Sequence, residues 1–107
     1  TISNLVFTDP NTAGSIATNS GEFVKAAVTR TLPASPAQGD EVEICVTLNF
    51  VVVVDAPGTA LIRIGSNVSS AGGTATSTAQ GDALILRYRT ANTTWHAVAV
   101  VGTWTLA

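Results

Sequence analysis

Between Glu41 and Phe50 the chain alternates without a break: Val42, Ile44, Val46, Leu48 and Phe50 fall on one parity, and Glu41, Glu43, Cys45, Thr47 and Asn49 on the other. Successive side chains of a strand point to opposite faces, so this segment reads as a strand with one dry and one wet face. The alternation then stops in Val51-Val52-Val53-Val54, before "DAPG" turns the chain. The strand therefore enters a doubly buried environment there, or bends at a bulge. Double burial has two possible sources. Either both faces are covered within one chain, or the second face is covered by another copy of it.

The rest of the chain supports a β fold. Its 107 residues suit one domain with a modest core, and 16 Thr and 8 Ser favour strands and turns over helix interiors. Helical periodicity is absent. Strands are expected in "EFVKAAVTR", "TALIRIG", "ALILRYRT", "WHAVAVV" and "TWTLA", with a short edge strand in "TATST" and a loop over "TLPASPAQGD". The expected fold is an all-β domain, an antiparallel β-sandwich or jelly roll of about seven or eight short strands. Residues 1–21 hold one apolar patch, Leu5 to Phe7, among turn formers, and read as an N-terminal arm with loops; residues 22–107 form the β-domain.

Charge narrows the functions. The net charge is −2, and Lys25, Arg30, Arg63, Arg87 and Arg89 are not massed in sequence, so no nucleic-acid partner is expected. The longest apolar run is about five residues, far short of a membrane span. A single cysteine, Cys45, makes no internal disulfide. The chain lacks Met and begins at Thr1, which fits removal of an initiator Met and the expectation of a complete small protein.

Chemistry finds little purchase. Cys45 lies beside Glu43 on the wet parity, where a negative neighbour opposes thiolate formation, and nothing in the spacing brings His96 to it. Glu41 and Glu43 share one strand face instead of straddling a cleft. "AQGD" occurs twice, ending at Asp40 and Asp82; the pair reads either as a metal or acid/base site or as one turn used twice to launch two strands. Neither a cofactor nor enzymatic activity is expected. Tyr88, Trp95 and Trp104 could form a sugar-stacking platform, or could serve packing and subunit contact.

The segments "TLPASPAQGDEVEI", "ALIRIGSN" and "QGDALILRYRTANTTWHAV", with the closing "GTW", together resemble a module of tailed-bacteriophage structural proteins over about residues 29–104. Arg89-Thr90-Ala91-Asn92 stands where that family carries an Asp-Gly turn after the tyrosine. The resemblance implies a trimeric β-domain on the virion. It also implies a role as a capsid decoration (cement) protein on the capsid surface, with the major capsid protein of the same virion as partner. On that reading Phe50, Val51, Val52, Val53, Val54 and Trp104 are candidates for the homotrimer interface. Ile2, Leu5, Val6 and Phe7 are candidates for the capsid-contacting arm. The alternative is the tip of a tail or head fibre that binds host-surface glycan through Tyr88, Trp95 and Trp104.

Overall fold

A computed structural model describes residues 5–107. Its strands form two sheets. β1 (Val6–Thr8), β3 (Ser20–Val24), β5 (Glu41–Val46), β10 (Ala83–Arg89), β11 (Thr94–Val101), β7 (Leu61–Ile64) and β8 (Asn67–Val68) follow in that order across a seven-stranded sheet. The five-stranded sheet runs β12 (Thr105–Leu106), β9 (Thr74–Ser77), β6 (Val52–Asp55), β4 (Thr29–Thr31), β2 (Gly14–Ser15). The fold is an all-β sandwich, as expected, with more strands than expected because β2 and β8 have two residues each and leave no periodic signal, and because one expected strand, "EFVKAAVTR", divides into β3 and β4.

The first six strands alternate between the sheets, odd-numbered strands entering the larger and even-numbered strands the smaller. Neighbours within a sheet are therefore two elements apart in sequence and run parallel: β1 with β3, β3 with β5, β2 with β4, β4 with β6. The C-terminal half restores antiparallel pairing in β5–β10, β10–β11 and β6–β9. The sandwich is thus mixed where an antiparallel one was expected. Periodicity reports which face a side chain takes, and says nothing of strand direction.

The same weave answers the question of the valine run. β5 ends at Val46, and Thr47 to Val51 cross to the other sheet, which leaves Leu48 half exposed instead of dry. In β6 the alternation resumes: Val52 and Val54 are fully buried among Ile44, Leu84 and Trp95 in the shared core, while Val51 is 50% exposed and Val53 is partly covered on the outer face. No second copy is needed to bury the inner valines. Similarly, "EFVKAAVTR" is not one strand but β3 and β4 joined by a corner at Lys25–Val28, where the Lys25 amide donates to the Pro10 carbonyl (3.3 Å).

The N-terminal segment is woven into both sheets. β1 pairs with β3, β2 pairs with β4, Ile16 is a core residue, and the expected domain boundary at residue 21 falls inside β3. A buried ion pair fastens this side. Glu22 on β3 accepts from Arg30 Nε and Nη2 on β4 (2.8 and 2.6 Å), joining the two sheets across the core. Arg30 also donates to the carbonyls of Thr12 and Ser15 (3.1 and 3.2 Å), so each of its three guanidinium nitrogens makes a hydrogen bond. These bonds to Glu22 raise the Arg30 pKa further, against the opposing effect of burial.

Both "AQGD" segments are turns that launch strands. In each the Asp amide donates to the Ala carbonyl three residues back (Asp40 to Ala37, 3.0 Å; Asp82 to Ala79, 3.3 Å), and the glycine takes a positive φ of 84° or 90°. Asp40 closes its own turn by accepting from the Ala37 amide, and Asp82 accepts from the buried Ser77 hydroxyl (2.6 Å). The two carboxylates sit at opposite ends of the antiparallel β5–β10 ladder, about 20 Å of strand apart, and cannot share an ion. After Tyr88 the departure from an Asp-Gly turn is accommodated by one 3₁₀ turn at Thr90–Asn92, with Thr93 in the left-handed region (φ 51°).

Candidate interaction surface

Tyr88, Trp95 and Trp104 all face inward, with relative exposures of 8%, 0% and 8%. Tyr88 packs on Trp95 (ring centroids 5.1 Å, 56° between planes), and Trp104 Nε1 donates to the Ala83 carbonyl (3.1 Å). These rings are consumed by the core, and a stacking platform needs a free ring face. Trp95 Nε1 is buried without a hydrogen-bond partner among the described residues, and Trp95 lines a cavity of about 290 Å³ together with Pro33, Pro57, Thr93 and Tyr88. Among the expected interface residues, Val52, Val54 and Trp104 are internal and Phe50 is half-buried against the core, which leaves Val51 and Val53 facing outward.

The register of the larger sheet assembles a surface that no single segment carries. Its outer face bears an apolar row across four strands, Phe23–Cys45–Ala83–Val101. The next row holds Gly21, Glu43, Ile85 and Ala99, and the third is charged: Glu41–Arg87–His96–Arg63. Phe7 lies over Gly21, where a Cβ would overlap its ring, and packs on Phe23 at 5.0 Å. Nine large apolar side chains are exposed among the described residues, and five of them (Phe7, Phe23, Val68, Val98, Val101) belong to this face. Apolar rows bordered along one side by a charged row combine the two kinds of surface that a protein interface carries.

The two flanks of the face differ in sign. Glu41 and Glu43 stand on β5, whereas Arg63, Arg87, Arg89 and His96 stand on β7, β10 and β11. Glu41 accepts from Arg87 Nε and Nη2 (3.2 and 2.5 Å). Asn92 Nδ2 lies 3.4 Å from His96 Nε2. A hollow of about 280 Å³ opens at the basic flank, lined by Gln38, Gly39, Arg87, Arg89, His96 and Val98. Burial, then the charge of Glu43 and its 3.6 Å contact with Sγ, raise the pKa of Cys45 and keep it a thiol. His96 lies two strands away, about 10 Å, and one end of the ladder removed from it.

The far edge of β11 is open. β7 runs beside it only through Thr94–His96, so among the described residues "VAVV" at Val98–Val101 has a strand partner on the β10 side alone. Exposed edges are usually defended by charge or proline. Here the single device is a bulge, where the β10 register shifts between Ile85 and Leu86. Sequence reasoning missed this surface because its rows exist only once four strands are in register. Of the expected capsid-arm residues, Leu5 is half-buried, Val6 is 70% exposed at the sheet edge, Phe7 joins the face just described, and Ile2 lies outside the described residues.

No protein-family model matches the chain, and no curated protein matches it either.

Proposed function

We propose that this chain is a virion structural protein, a capsid decoration protein that trimerises on a phage head and stabilises the lattice of the major capsid protein. The observation that carries the reading is the unfinished surface of the larger sheet: apolar rows bordered on one side by a two-signed charged row, and an uncharged open edge, on a sandwich whose own core is already complete. Among the described residues no three His, Cys, Asp or Glu side chains converge into a group that could hold a metal ion. The segment resemblance over residues 29–104 supplies the virion setting. Stabilisation follows from mass action, because a protein that binds only the assembled shell lowers the free energy of that shell.

Val6 and Leu5 are the capsid-facing candidates on this reading, at the outer edge of the larger sheet. Removing residues 1–15 is a poor test, since it would delete β1 and β2 and the Thr12 and Ser15 carbonyls that hold Arg30. The sharper experiment adds the purified chain to capsids lacking a decoration protein and measures co-sedimentation and the temperature of capsid disruption. Binding with a raised disruption temperature, weakened by Val6→Asp, is the expected result. A folded protein that neither co-sediments nor protects any such capsid sinks the proposal.

A further inference from the structure

The outer face of the seven-stranded sheet fits one occupant best. We infer that it is covered by other copies of the same chain, which deepens the trimer reading above and rests on it. Two independent observations favour self-association over a foreign partner. The first is charge. A charged surface that meets itself must carry both signs, and this face has Glu41 and Glu43 on β5 beside Arg63, Arg87, Arg89 and His96 on β7, β10 and β11, with the apolar rows next to the charged one along the strands. Among the described residues Arg89 is exposed and forms no ion pair, Arg63 likewise has none, and Glu43 has only the weak contact from Cys45. Glu43 of one copy therefore seats against Arg89 and His96 of the next, in the hollow beside Val98.

The second observation is the edge. Among the described residues no strand lies opposite the backbone donors and acceptors of Val98–Val101 on the side away from β10, and the segment has neither charge nor proline. Exposed edges of this kind recruit strands, and the side chains flanking it, Val98, Val100 and Val101, are 48%, 41% and 57% exposed. Apolar cover at the edge and ion pairing beside it place the contact on one continuous patch. A patch burying on the order of 1,000 Å² or more lies in the range of specific interfaces.

The test is the mass of the intact chain in solution, by light scattering across a concentration series. Wild type is expected at a multiple of 10.9 kDa. Val101→Asp should return it to a single chain, and Arg89→Glu should raise the dissociation constant by roughly tenfold or more through lost electrostatic complementarity. Both positions are exposed, so folding is preserved, which the fluorescence of the fully buried Trp95 verifies. Glu43→Arg should weaken association alone and recover it when combined with Arg89→Glu. Val51→Asp, half exposed in the crossover just before β6 of the other sheet, should leave the mass unchanged.

A wild type that stays a single chain at high concentration overturns the inference. So does a multimer indifferent to the face variants, or one dissolved by Val51→Asp alone. The capsid experiment fails separately: multimers that ignore capsids would refute decoration and leave this interface standing, and single chains that bind capsids would do the reverse.

Discussion

On the outer face of the smaller sheet the register lines up Thr29, Val53, Thr76 and Thr105 in one row and Ser15, Thr31, Asp55 and Thr74 in the next. The corresponding rows of the larger sheet hold Phe23, Cys45, Ala83 and Val101, then Gly21 under Phe7, Glu43, Ile85 and Ala99. Both faces are pleated and both back onto the same core. One spends its β-branched positions on hydroxyls that water satisfies; the other leaves aromatic and aliphatic carbon uncovered. A threonine face is finished as a monomer surface. The apolar face becomes finished only when something covers it.

The contrast relocates the valine run. Four valines in a row suggested an interface, yet they sit on the hydroxyl-bearing sheet, with Val52 and Val54 in the core and Val53 flanked by Thr29 and Thr76. The strongest way to break the comparison is therefore within that run. Val52→Asp places an unpaired charge at a fully buried position and should cost about 3–5 kcal/mol, a large share of the stability of a domain this size. Val53→Asp points outward among threonines and should cost about 1 kcal/mol or less. Urea denaturation of the two variants distinguishes them. Equal losses would mean that the two parities of β6 are not inside and outside.

How much of this was legible in the sequence depends on whether a feature is local. The alternation of Val42, Ile44 and Val46 predicted β5 and its buried face, and "AQGD" declared two turns. Leu48 defeated the same rule because the parity continues through a crossover that periodicity cannot see. Glu22 and Arg30 share the parity of Val24 and Val28, which was a signal that these charges face inward and need each other. The rows of the larger sheet had no such signal. Cys45, Ala83 and Val101 are far apart in sequence and become neighbours only through the pairing of β5, β10 and β11.

A second test acts on the uncovered face alone. Gly21→Ala introduces a methyl into the space of the Phe7 ring, so the ring must leave Phe23. The expected cost is about 1–2 kcal/mol, since the ring can move outward but loses its packing. The loss should be paired with weaker self-association. A thermal melt gives the first quantity and the concentration dependence of the mass gives the second. Stability lost with association intact would place Phe7 outside the interface.

The smaller sheet supplies the matching control. Thr76→Val replaces a half-buried hydroxyl by a methyl between Val53 and Thr105. Stability should change by about 0.5 kcal/mol or less, because β propensity is kept and the hydroxyl was hydrated. The measured mass should not change. If one added methyl here promotes association while charges on the larger sheet do not prevent it, the assignment of the two faces is inverted.

The smallest expected effect is a titration. The Cys45 thiol is held above its ordinary value of 9.0 by burial first, then by the charge of Glu43 and its hydrogen bond. A group whose pKa is raised on folding contributes its stability in full below the unfolded value and loses it as the pH climbs through the folded one. The chain should therefore weaken as pH rises from about 9 upward, and Cys45→Ala should remove that part of the slope while leaving neutral stability nearly unchanged. Because Cys45 lies in the apolar row, covering the face would bury it further and push its titration higher still. Thiolate absorbance followed against pH at low and high protein concentration reads this directly: a midpoint that rises with concentration ties the thiol to the covered face, and one independent of concentration in a protein that self-associates removes Cys45 from it.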